Sequence, residues 1–143
     1  MSHTFTVCAN CGKTNKIQLD TGRSPVCGGC KHDLALDGAV VNAGESELSR
    51  LIQKSPLPVV VDVWAPWCGP CRAFGPTYKS AGSAYAGRAV FAKLNSDENQ
   101  GFGQNYNVRG IPTVLVFKGG VEVARQSGAM PAEYFSEWLN RYV

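Results

Sequence analysis

From residue 38 onward the apolar positions fall into two rhythms. VVVDVWA (59–65) is apolar almost without interruption, which predicts a central strand covered on both faces. VFAKLNSD (90–97) predicts a second buried strand, and AVVNA (39–43) a short one. TVLVFKGG (113–120) and VEVARQSG (121–128) alternate and meet at Gly119-Gly120, which predicts a hairpin. ESELSRLIQKS (45–55) has helical spacing at Leu48, Leu51 and Ile52, and Pro56 and Pro58 close it. A further helix is expected from about Cys71 to Tyr85, kinked by Pro76. NQGFGQNYNV (99–108) reads as a weak helix interrupted by glycine. AEYFSEWLNRYV (132–143) closes the chain as an amphipathic helix, with Tyr134, Phe135, Trp138, Leu139 and Tyr142 on its apolar side. The order β-α-β-α-β-α-β-β-α implies an α/β fold: a mixed sheet with helices on both faces.

Residues 1–37 break this pattern. They contain four of the six cysteines, both histidines, few large apolar residues and turn-rich stretches such as TGRSP. So few apolar side chains cannot offset the entropy of ordering the segment, which therefore needs a cross-link. The expected organisation is a small module, 1–37, followed by one main domain, 38–143, consistent with a length of 143 residues.

Composition narrows the function. A net charge of +3 is too mild to imply nucleic acid or an anionic membrane as partner. The longest apolar runs are strand-length and too short to span a bilayer. MSHTFTVCANCG lacks the basic patch and apolar stretch of a secretion signal, so the cytoplasm is the expected location. There thiols stay reduced, and six cysteines point to metal binding or catalysis.

Cys8-x2-Cys11, fifteen residues, then Cys27-x2-Cys30 is the spacing of a four-thiolate zinc ribbon. One structural zinc is expected, with disulfides or an iron–sulfur centre as the alternatives. His3 and His32 are spare potential ligands, better read as solvated surface histidines because four cysteines complete the site. A nucleic-acid role for the module finds little support: its charge is +1 and Phe5 is its only aromatic residue.

The third pair, Cys68-Gly69-Pro70-Cys71, has no partner pair with which to build a second four-ligand site. It lies between a buried strand and a helix. A helix starting near Cys68 would turn unpaired N–H groups and the positive end of its dipole toward that thiol, favouring thiolate and making Cys68 the nucleophile. Cys71, one turn on, would be the resolving thiol. Asp62 on the buried strand is desolvated, which raises its pKa and suits it to accept the Cys71 proton; pairing with Lys93 for stability alone is the rival reading. Pro70 brings neither an N–H nor a charge, so the thiolate is stabilised less than beside a His, which points to a reductant.

WCGPC after a VDVWA strand resembles thioredoxin, with the likeness running from about residue 38 to the end. Asp62 matches the family's buried acid, Lys93 the lysine near it, Ile111-Pro112-Thr113 the cis-proline segment, and Gly128 a glycine of the docking surface. With its two N-terminal Cys pairs, the whole chain resembles the zinc-containing bacterial thioredoxins of the thioredoxin 2 type. The resemblance implies a cis Ile111–Pro112 bond, an exposed Trp67 indole beside the disulfide, and a flat docking patch of Gly69, Ile111, Gly128 and Ala129. Trp64 would serve core packing as readily as the site. It also implies protein disulfides as substrates, a Cys68–Cys71 disulfide as redox centre, electrons from NADPH through thioredoxin reductase, and a monomer. Pro66 departs from the charged residue frequent there and leaves the rim less acidic. The ribbon's role would be structural, with docking or redox sensing also open to it.

Overall fold

The computed structural model describes residues 3–19 and 21–143, so Asp20, counted above in the charge of the first segment, lies outside them. Two sheets form. The smaller pairs β1 (His3–Val7) with β2 (Thr14–Gln18) antiparallel, Phe5 opposite Lys16. The larger contains β3 (Leu36–Asp37), β4 (Val40–Asn42), β5 (Val59–Trp64), β6 (Val90–Asn95), β7 (Thr113–Lys118) and β8 (Val121–Ser127), in the order β3-β4-β6-β5-β7-β8. The helices are α1 (Glu45–Lys54), α2 (Gly69–Ala84), α3 (Gln100–Asn105) and α4 (Ala132–Leu139). From β4 onward the order matches the α/β pattern expected from the sequence.

β5 lies at the centre of this fold, parallel to β6 and antiparallel to β7. Its side chains alternate between two cores. Val59, Val61 and Val63 pack with Leu48, Leu51 and Ile52 of α1, Phe102 of α3, and Leu115 and Phe117 of β7. Val60 faces the other way, with Phe74 and Tyr78 of α2 and Phe135, Trp138 and Leu139 of α4. The nearly continuous apolar run follows from this, because both faces must be covered. Each such Val contributes roughly 1.5–3 kcal/mol by burial. The same alternation sends Asp62, two residues after Val60, toward the α2 side.

The β7–β8 turn has Gly119 and Gly120 both at positive φ, 58° and 83°, a geometry that matches the twist of an antiparallel pair and excludes most side chains. Pro76 lies inside α2, which stays continuous. The helix starts at Gly69, two residues before the expected boundary, because Pro70 takes a first-turn position where its missing N–H costs nothing. α4 ends at Leu139 rather than reaching residue 143. The Arg141 and Tyr142 N–H groups bond only three residues back, tightening the chain into a turn, while Tyr142 still packs edge-on against Trp138.

The segment before residue 38 is not separate from this core. Val7 is buried with α1, Phe5 packs against the same cluster, and Arg50 of α1 donates to the Gly12 carbonyl at 2.7 Å. Cys8, Ile17, Cys27 and Leu34 form a small cluster of their own, and Leu36 touches both. The sequence pattern did not predict β1, β2 and β3: they are short, β1 meets β2 across the Cys8–Cys11 turn, and β3 meets β4 across the turn at Gly38.

Candidate functional site

Two chemically different sites emerge. In the first, the Cys8, Cys11, Cys27 and Cys30 sulfurs all lie within 4.8 Å of one another, with Cys11–Cys27 at 3.6 Å and Cys8–Cys30 at 3.7 Å. A metal with bonds of about 2.3 Å to four sulfurs would set tetrahedral edges near 3.8 Å. The donor set therefore fits a tetrathiolate metal ion.

The two turns that build it share one design. Cys8 N–H donates to Lys13 O and Gly12 N–H to Cys8 O; Cys27 N–H donates to His32 O and Lys31 N–H to Cys27 O. Gly12 and Lys31 occupy equivalent left-handed positions, φ 81° and 68°. Two asparagines that sequence reasoning missed complete the surroundings. Asn15 Nδ2 approaches Cys27 Sγ at 3.5 Å while its Oδ1 accepts from Gly28 N–H, and Asn10 Nδ2 lies 3.4 Å from Cys30 Sγ. The Cys30 backbone N–H and then Asn15 hold Cys27 down at about 5, and Asn10 lowers Cys30. At Cys11 the Lys13 N–H favours thiolate, but the neighbouring Cys27 sulfur and the other thiols push it up to about 11. Four adjacent sulfurs cannot all ionise without a cation among them.

The second site lies at the start of α2. Cys68 is its N-cap residue, and Cys68 and Cys71 are joined as a disulfide, with Cα atoms 5.2 Å apart. The Cys71 N–H donates to Cys68 Sγ at 3.2 Å. Exposure hardly separates the two cysteine residues, at 5% and 3%; position at the helix start does. Gly69 and Pro70 cover the first turn and are exposed. Across from them the Ile111 carbonyl oxygen lies 3.9 Å from Cys68 Sγ, and the Ile111–Pro112 bond is cis. Gly128 N–H donates to Pro112 O at 2.8 Å, which brings Gly128 and the exposed Ala129 to the same edge. Trp67 is 70% exposed, and its indole N–H is shared between the two Asp97 carboxylate oxygens at 2.9 and 3.1 Å. Asp97 is a partner that no sequence signal had singled out.

Behind the disulfide a cavity of about 350 Å³ runs between α2 and the sheet, lined by Cys71, Asp62, Tyr78, Trp64, Lys93 and Asp37 among others. Asp62 is buried, and its Oδ1 has no hydrogen-bond partner among the described residues. Burial pushes its carboxyl up to about 7, only partly opposed by Lys93. Lys93 sits directly opposite Asp62 in the β5–β6 register, yet its ammonium pairs with Asp37 at 3.5 Å and lies 5.3 Å from the Trp64 ring centre. Trp64 is thus a half-buried wall of the cavity.

A model of the Thioredoxin family matches residues 39–141. The chain belongs to the thioredoxin family. Thioredoxin C-3 of Corynebacterium nephridii is 35% identical over 136 residues, covering 94% of this chain and 92% of that protein, and so extends into the Cys-rich segment that the family model leaves out. Thioredoxin of Synechocystis is 38% identical over 105 residues, 73% of this chain and 98% of that one. The chloroplastic M-type thioredoxin of Zea mays is 37% identical over 114 residues, covering 80% and 68%. This thioredoxin is accordingly a thiol–disulfide oxidoreductase that reduces protein disulfides through Cys68 and Cys71. As a family, thioredoxins receive electrons from NADPH through thioredoxin reductase. No helix of the described residues is long and apolar enough to cross a membrane.

Proposed function

We propose that this chain is a reductase of the zinc-containing thioredoxin 2 type, with a zinc module at 1–37 and a catalytic domain at 38–143, acting as a monomer in the cytoplasm. The observation that carries the reading is the coexistence of a four-sulfur cluster with metal spacing and a separate disulfide at a helix start. Zinc suits an all-thiolate tetrahedral set without redox chemistry of its own, and a closed set leaves no open position for a substrate. Its role is structural: it links two turns in a segment whose own core is only a few side chains.

Catalysis proceeds by exchange. Reduced Cys68 attacks one sulfur of a substrate disulfide; a Cys68–substrate bond forms and the other substrate sulfur leaves as thiolate. Cys71 gives its proton to the Asp62 carboxylate, through water in the adjoining cavity, and attacks Cys68 Sγ. The second substrate sulfur then leaves. The substrate gains two electrons and two protons, and the protein ends with the Cys68–Cys71 disulfide present in this structure. Thioredoxin reductase returns the electrons. The substrate chain docks as an extended strand on the Ile111 backbone beside Pro112, over Gly69, Pro70, Gly128 and Ala129, with Trp67 at the rim. Main-chain pairing on small residues gives binding with little sequence preference.

Three measurements test this. Reduced Cys71→Ser protein should accumulate a mixed disulfide at Cys68, visible by mass. Asp62→Asn should slow the second step about 10²-fold at neutral pH in single-turnover quench; an unchanged rate removes Asp62 from the mechanism. Metal analysis of purified protein should return one zinc per chain, and iron or no metal would overturn the zinc assignment.

A further inference from the structure

The cavity behind the disulfide contains a charge that the exchange mechanism does not use. Asp37, the second residue of β3, opens onto it beside Lys93 and Lys79. One Asp37 oxygen lies 2.8 Å from Lys79 Nζ and the other 3.5 Å from Lys93 Nζ. Lys79, then Lys93, hold the Asp37 carboxyl below the usual range, so it is charged wherever the enzyme works. Lys93 is therefore clamped between the Asp37 carboxylate and the face of Trp64.

This placement is unexpected from the sheet alone. Asp62 and Lys93 are adjacent in register on neighbouring strands and face the same side, where opposite charges ordinarily pair. Among the described residues, however, the ion pairs are Lys79–Asp37, Lys93–Asp37 and Arg125–Glu122, and Asp62 Oδ1 is left without a partner. We propose that Asp37 is a positioning residue: its carboxylate anchors the Lys93 ammonium at the cavity mouth and so withholds it from the Asp62 carboxyl. The last residue before the catalytic domain thereby adjusts a group deep in the active site. The proposal builds on the reading of Asp62 as proton acceptor, since a carboxyl paired with Lys93 would be a weaker base.

Lys93 is the cation directly opposite Asp62 in the sheet register. From α2, Cys71 and Tyr78 face Asp62, and Arg72 and Lys79 line the outer cavity; from β6 comes Lys93, from β3 Asp37, and from β7 the apolar Val114. Tyr78 is buried, its hydroxyl within reach of the Val60 and Ala92 carbonyls, and burial keeps it protonated.

The test follows the Asp62 carboxyl by carbon-13 NMR titration of the oxidised protein in Asp37→Asn, Lys93→Met and the double variant. Asp37 is half-exposed, so the substitution leaves the core intact. Asp37→Asn should lower the Asp62 midpoint by about one pH unit, a tenfold loss of the protonated form above both midpoints. The shift should vanish when Lys93 is already Met. An equal shift in both backgrounds means that Asp37 acts by its own field, and no shift means that it does not act at all; either overturns the proposal. The pH profile of the resolving step, read in parallel, separates the two ideas: a moved midpoint with an unmoved rate profile supports the anchoring of Lys93 and refutes Asp62 as the base.

Discussion

Three Cys-x-x-Cys turns in one chain build two different sites, and what separates them is the path the backbone takes through and beyond each pair. After Cys11 and Cys30 the chain takes a left-handed residue and folds back, and the Cys8 and Cys27 N–H groups bond to Lys13 O and His32 O. Both pairs of sulfurs then point out of their turns toward a common centre. After Cys68 the chain instead enters a helix through Gly69 and Pro70, and the two sulfurs face each other at a positive helix end. Spacing brings two sulfurs close; the continuation decides whether they share a metal or each other.

Removing one sulfur from each kind of site should have the largest effect. Cys68→Ser should reduce disulfide-reductase turnover by at least about 10³-fold while metal content stays at one ion per chain; metal loss in this variant would show the two sites to be coupled. Cys27→Ser should do the reverse. Its loss leaves three ligands around a buried gap, so metal is lost and amide exchange in β1 and β2 accelerates, while turnover stays within about threefold because the helix start is untouched. An insulin-reduction assay with metal analysis reads both.

A smaller effect is expected from Asp62→Asn, because a buried carboxyl lies in the cavity beside Cys71. The folded-state value of about 7 lies above the ordinary 3.8. Folded protein thus binds more protons than unfolded between these values, and Asp62 supports stability below about pH 4 and loses that support as pH rises to 7. The full difference is about 4 kcal/mol. Asn removes it, so the variant should be more stable than the parent by up to that amount at pH 8, with the gap closing toward pH 4 in denaturant titrations. The smallest effect concerns the two metal turns themselves. Lys31 holds a left-handed conformation that Gly12 holds without cost, so Lys31→Gly should stabilise the metal-loaded protein by about 0.5–1 kcal/mol in thermal unfolding.

Much of this was legible beforehand. β4 through α4 follow from apolar rhythm, because a strand covered on both faces and a one-sided helix leave distinct periodicities. The three short strands of the first segment did not, since HTFTV gains its pattern by packing on α1, TNKIQ buries Ile17 against the cysteine turns, and Leu36–Asp37 is too short to carry a rhythm. Asn10, Asn15, Asp97 and Asp37 are ordinary surface residue types in sequence; each matters through partners distant along the chain. The pairing of Lys93 was the least accessible point, because register places it beside Asp62 while a carboxylate from another strand holds it.

Local spacing and periodicity were enough for the family, for one cysteine set with metal spacing beside a separate disulfide pair, and for the burial of Asp62, because these are properties of neighbouring residues along the chain. The partnering of the charges follows from the packed fold instead. Among the described residues Asp62 forms no ion pair, Lys93 goes to Asp37, and Trp67 leans on Asp97, because electrostatic energy depends on distances across strands and helices that no local pattern encodes.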